Sequence, residues 1–249
     1  MKKIVLFLSL IFVAVTIQSC GTSTGSGGGG GGGGSGDREW TYMVYVAGTN
    51  SLSDFAPLDL AEMEEVGSNS DLAIVAQYEN YNTSTTRLYI AENSADTVTI
   101  DVCAEDPSVC FYDAEGAFVD DVDMANTDNL ASFVEWAITT YPAENYALVL
   151  WDHGSGWRDD GSVVHRLTKG AIHDEVQGTY MSIAQIADGI EQAETATSET
   201  IDIVRFDACL MAMYEVAYAF NGLTDYLVLS EELVPGYGDP YDSILTALK

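Results

Sequence analysis

YALVLWDHG, Tyr146–Gly154, is the stretch that decides the fold. Its apolar run is nearly continuous, as expected for a central strand of a parallel sheet covered on both faces. IDIVRFDAC, Ile201–Cys209, repeats the pattern. WTYMVYVAG, Trp40–Gly48, is a third strand by its aromatic and β-branched content, and DLAIVAQYE, Asp71–Glu79, a fourth. TRLYIAEN reads as a hairpin partner or edge strand, and DYLVLSEEL, Asp225–Leu233, as one strand more.

Helical periods lie between these runs. SLSDFAPLDLAEMEEVG reads as a loop and a helix closing at Gly67, a helix stop. In NTDNLASFVEWAITTYP, Leu130, Phe133, Val134, Ala137 and Ile138 share one face, Thr127 caps and Pro142 terminates. SIAQIADGIEQAE opens on Ser182 with Gln185 three residues later, a capping box. LMAMYEVAYAF reads as a helix starting directly after Cys209. Strands alternating with helices predict an α/β three-layer sandwich, with a mostly parallel central sheet and helices on both faces.

The chain has 249 residues and is 47% hydrophobic, enough for one medium domain. Nine Lys and Arg against 39 Asp and Glu give a formal charge of −30. Such a surface repels phosphate backbones and favours cationic partners, which argues against nucleic-acid binding. Residues 1–19 read as a signal peptide, with a basic MKK followed by an apolar run too short to span a membrane. The run ends in IQSC, which resembles a bacterial lipobox, making Cys20 the expected lipidation site and the cell envelope the expected location. Residues 20–37 form the lipidated cysteine and a Gly/Ser-rich tether, and the folded domain is expected over 38–249.

Cys103 and Cys110 lie seven apart in a loop-like stretch, a spacing an exported protein can bridge. That leaves Cys209 as an odd thiol. In an open α/β sheet, ligands bind beyond the carboxyl ends of the strands. His153 and Cys209 both sit at such ends, 56 residues apart. If their strands are neighbours, an imidazole and a thiol meet across one crevice, the arrangement of nucleophilic catalysis. The dipole of a helix starting at Cys209 would favour its thiolate. Gly154 lets a substrate carbonyl approach the backbone and leaves its amide as an oxyanion donor. Asp207 is either an anionic partner for a cationic side chain or a cap of the following helix.

YALVLWDHGSGW, IDIVRFDACLMA and LSEELVPGYGDPYDSIL together resemble the clostripain family of cysteine peptidases, from about Trp40 onward. The resemblance implies a caspase-like fold, shared with gingipains and legumain. It implies His153 as base, Cys209 as nucleophile, and the Gly154 and Cys209 amides as oxyanion hole. It also implies Arg or Lys before the scissile bond, with Asp207 at the base of that pocket. Relatives of this kind continue beyond VPGYGDPY, so 38–249 reads as a shortened form of the domain.

Self-cleavage in the loop after the histidine is a further expectation. Three of the seven basic residues left after signal removal, Arg158, Arg166 and Lys169, fall in that loop, with Lys169 the first candidate bond and Arg166 the second. No metal ligand set is assigned and no cofactor is required. Calcium is held open, because Asp113, Asp120, Asp121, Asp123 and Asp128 supply hard oxygen ligands without the EF-hand order. Two other readings stand beside the peptidase: a non-catalytic surface lipoprotein binding cationic peptides, and a calcium-binding adhesion domain.

Overall fold

The computed structural model describes residues 38–92, 99–106, 110–111, 121–157 and 170–249. Cys20, Arg166 and Lys169 lie outside these residues, as do Asp113 and Asp120.

β1 (Trp40–Gly48), buried along eight of its nine residues, is the middle strand of the main sheet. A turn leads into α1 (Ala56–Val66), which closes at Gly67 and returns the chain to β2 (Leu72–Asn80), buried throughout. β3 (Thr83–Tyr89) folds back antiparallel on β2, and β4 (Ile100–Asp101) pairs antiparallel with β3. A short α2 (Val102–Glu105) follows, and Cys103 is disulfide-bonded to Cys110 with 5.3 Å between Cα atoms.

α3 (Thr127–Thr140) packs Leu130, Phe133, Val134, Ala137 and Ile138 into the core, as its periodicity requires. Its cap is Asn126, whose side chain accepts the Asp128 amide, and Thr127 is the first helical residue rather than the cap. β5 (Asn145–Trp151) returns beside β1. A small antiparallel hairpin, β6 (Ile172–Asp174) and β7 (Thr179–Met181), had no counterpart in the sequence reading. α4 (Ile183–Thr197) carries the reciprocal Ser182–Gln185 capping box.

β8 (Ile201–Asp207) lies beside β5, and β9 (Thr224–Val228) beside β8. The strand order is β4-β3-β2-β1-β5-β8-β9, with β2, β1, β5, β8 and β9 mutually parallel. β9 ends at Val228, short of the expected Leu233. Two further helices, α5 (Tyr214–Ala219) and α6 (Tyr241–Leu248), complete the layers. One apolar cluster gathers α3, α4 and the residues of one sheet face, including Tyr45, Leu148 and Phe206. The other gathers α1, α6 and the opposite face, including Val44, Ile74 and Trp151. The main domain is thus a helix–sheet–helix sandwich.

The helix after Cys209 differs from expectation. Residues 209–213 are not helical, and α5 begins only at Tyr214. The backbone here pairs with a distant segment instead: the Leu210 amide donates to Glu232 O at 3.1 Å and the Ala212 amide to Ser230 O at 2.9 Å. No helix dipole therefore acts on Cys209, and Asp207 caps no helix.

Candidate active site

Register brings the two strand ends together. Trp151 of β5 stands opposite Asp207 of β8, so Asp152–Gly154 and Ala208–Cys209 leave the sheet side by side. His153, Asp207 and Cys209 line one cavity of about 130 Å³, closed by Leu52 and by Val234–Gly236. The contact between its two walls is close. A Cβ on Gly154 would collide with the Cys209 carbonyl oxygen and lie 2.8 Å from the Cys209 nitrogen. Only glycine permits that approach.

His153 is held by residues that the sequence reading did not single out. Ser51, in the turn after β1, places Oγ 2.8 Å from His153 Nε2. Asp152 is buried, and its Oδ1 accepts the His153 amide at 2.5 Å and Asn50 Nδ2 at 2.6 Å. Its Oδ2 accepts the His173 amide. Asn50 in turn donates to Ala47 O and His173 O and accepts the Leu52 amide. The β1 turn, the β5 end and β6 are thereby locked around one buried carboxyl. Desolvation pushes the Asp152 carboxyl well above its ordinary range, opposed by these three donors. His153 moves the other way: partial burial lowers its pKa below 6.5, the charge of His173 lowers it further, and Glu175 opposes the shift.

Cys209 is the one free cysteine of the described residues and is partly exposed. Its Sγ accepts the Val234 amide at 3.3 Å, and Val234 O lies 3.7 Å away. Leu210, the next residue, has φ +61°, a left-handed conformation that costs a non-glycine residue roughly 1 kcal/mol.

Asp207 is 4% exposed. Its Oδ2 accepts the Asp239 amide and the Tyr241 hydroxyl, each at 3.0 Å. Its Oδ1 has no hydrogen-bond donor among the described residues. Burial, then the charge of Asp239, lifts its pKa from 3.8 to about 6. Nearby Asp59 accepts Trp151 Nε1 at 2.6 Å and rises to about 7, chiefly by burial. Arg205, on the same strand as Asp207, is committed to Asp239, with contacts of 2.7 and 2.5 Å. Gly238 has φ +59°, and a Cβ there would lie 2.7 Å from Asp207 Oδ2.

The described residues offer calcium little. Asp123 Oδ1 accepts the Thr179 hydroxyl and the Ala125 amide, while Asp128 stands in the first turn of α3. Among the described residues no group of three or more His, Cys, Asp or Glu could hold a metal ion. Among them, too, no helix is long and apolar enough to cross a membrane.

A mostly parallel sheet between two helical layers, with a thiol and an imidazole on adjacent strand ends, is a caspase-like architecture. The chain belongs to the clostripain family, whose model matches residues 44–249. It is 27% identical over 234 residues to Clostripain of Hathewaya histolytica, covering 84% of this chain and 42% of that protein. It is also similar to a secreted C11 cysteine protease from Bacteroides thetaiotaomicron, solved with an irreversible peptide inhibitor. The TM-score is 0.64 at 27% identity, over 85% of this chain and 54% of that one. An inactive zymogen C11 protease from Parabacteroides distasonis shares the fold, with a TM-score of 0.63 at 24% identity over 84% and 53% of the two chains. The chain therefore spans about half the length of the relatives it matches.

Proposed function

We propose that this chain is an exported cysteine endopeptidase cleaving after Arg or Lys. One observation carries the specificity. Asp207 is buried in the wall shared with Cys209 and His153, and its Oδ1 lacks a donor among the described residues. Arg205, on the same strand as Asp207, is already claimed by Asp239. A substrate ammonium or guanidinium supplies the missing charge and donors together.

The chemistry follows from the neighbours. Cys209 Sγ attacks the scissile carbonyl carbon and its proton passes to the His153 imidazole. The Gly154 and Cys209 amides, held against each other, receive the developing oxyanion. Collapse breaks the C–N bond as His153 returns the proton to the leaving amine, and water then hydrolyses the thioester. No cofactor is required. Calcium takes no step in this reading, since the described aspartates form no group that would hold it.

In this reading a signal peptide and a lipidated Cys20 tie the domain to the cell envelope through a glycine-rich tether, where it acts on protein or peptide substrates. Self-processing after Lys169, with Arg166 second, completes the reading. It predicts that purified protein is cut in 158–169 while Cys209→Ala stays intact. Identical behaviour of the two would refute it.

A second reading, a non-catalytic surface lipoprotein that binds cationic peptides, is favoured by the engagement of Cys209 Sγ with Val234. Fluorogenic peptides ending in Arg or Lys decide between the two. Hydrolysis lost in Cys209→Ala supports the peptidase, and peptide binding by folded protein without hydrolysis supports the alternative.

A further inference from the structure

A second cavity, of about 280 Å³, opens at the carboxyl ends of β1 and β2. Thr49, Glu79, Asn82 and Asp121 line it with polar groups, Tyr81 and Val176 with exposed apolar surface. Glu79 is fully buried and Thr49 is 2% exposed. Thr85 Oγ1 donates to Glu79 Oε2 and accepts the Val122 amide, so its hydroxyl has no donor left over. Glu79 Oε1 and Thr49 Oγ1 have no hydrogen-bond partner among the described residues, and the acid Asp121, which lines the same cavity, helps raise the Glu79 pKa. Two acids and a hydroxyl thus line one space with no basic side chain among its described lining residues, and the buried Glu79 Oε1 and Thr49 Oγ1 are costly to leave without partners there.

We infer that this cavity receives a second basic side chain, a lysine ammonium or an arginine guanidinium, of the polypeptide whose first basic residue occupies the Asp207 pocket. The inference rests on the proposed function for that first residue alone. Three to five donors on one cation can serve Glu79, Asp121 and Thr49 together. The Tyr81 ring, fixed by donating its hydroxyl to Glu175 at 2.5 Å, offers a face for the cation and its alkyl stem. A bare divalent ion fits less well, because it favours six or more oxygens and the described lining residues bring only two carboxyls.

The sheet sets the spacing. Tyr78, Val46, Trp151 and Asp207 stand in one register line, and Glu79 follows Tyr78. β2 and β8 are three strand intervals apart, about 14 Å at roughly 4.8 Å per interval. An extended peptide covers that with four to six residues at about 3.3 Å each. Burial and Asp121 raise Glu79 to about 9, so in the empty cavity it is protonated at neutral pH. Entry of the cation releases that proton to solvent.

The test uses the full chain carrying Cys209→Ala and labelled alanine peptides with one Arg, or with two Arg four to six residues apart, read by fluorescence anisotropy. At one spacing the two-Arg peptide is expected to bind at least about tenfold tighter than the one-Arg peptide. Glu79→Gln, a neutral isostere, and Thr49→Val should each reduce that ratio below about threefold without changing one-Arg binding. Glu191→Gln, which removes an exposed charge on α4, should leave the ratio intact. An unchanged ratio in both Glu79→Gln and Thr49→Val overturns the inference, as does an equal fall in Glu191→Gln. Calcium stabilisation that vanishes in Glu79→Gln also overturns it, by making the cavity an ion site. One-Arg binding indifferent to Asp207→Asn, with the Glu79 effect present, supports this cavity while refuting the Asp207 pocket.

Discussion

Ser51 Oγ stands 2.8 Å from His153 Nε2, across 102 residues of sequence. A hydroxyl there fixes the ring plane and can accept a hydrogen bond from a protonated Nε2, which in the proposed mechanism steadies the imidazolium. Ser51→Ala is expected to lower kcat about tenfold, near 1.4 kcal/mol of barrier, with KM unchanged. Ser51→Thr should recover most of the rate. A KM effect without a kcat effect in steady-state assays would contradict this role.

Asp207→Asn should separate activity from stability. Removing the anion is expected to cost Arg and Lys substrates about a hundredfold or more in kcat/KM, the range for stranding one buried charge. The folded pKa, about 6, lies above the ordinary 3.8, so the carboxyl favours the fold below pH 4 and that contribution disappears as pH rises through 6. The variant should therefore be more stable than the parent by about 2–3 kcal/mol at pH 7–8. The difference should vanish below about pH 4. Denaturant melts at pH 4 and pH 8 measure both ends.

The acid limb of kcat/KM should fall below pH 6.5, because burial and the charge of His173 keep His153 neutral to lower pH. Glu175 opposes that shift, so Glu175→Gln should move the limb further toward acid. A pH–rate profile of the two proteins shows the displacement directly.

Gly154→Ala places a methyl group against the Cys209 backbone, 2.8 Å from its nitrogen. The two strand ends must then separate, and hydrolysis should fall to the level of Cys209→Ala. Thermal unfolding should show a loss of about 1–3 kcal/mol, the usual cost of overpacking.

The strand ends at His153 and Cys209 were legible because each follows an apolar run, and burial on both faces leaves a plain compositional mark. Gly154 and Asp207 were legible by adjacency to those ends. Ser51, Asn50 and Asp152 were not, since their partners lie 102 and 123 residues away and impose no local period. One signal was available: Thr49–Ser51 also follow the carboxyl end of a core strand, where ligands gather in such sheets. The misplaced helix start has a physical cause. LMAMYEVAYAF has good helical propensity, yet the Leu210 and Ala212 amides are taken by Glu232 and Ser230. The same pairing draws the chain out of β9 after Val228.

Residues 230–239 supply the carbonyls that hold Leu210 and Ala212, the amide that meets Cys209 Sγ, and the amide that holds Asp207. A nascent chain emerges amino end first, so its nucleophile has no finished surroundings until some thirty residues beyond it have appeared. Order of synthesis thus leaves the wall around Cys209 open until residues 230–239 have emerged.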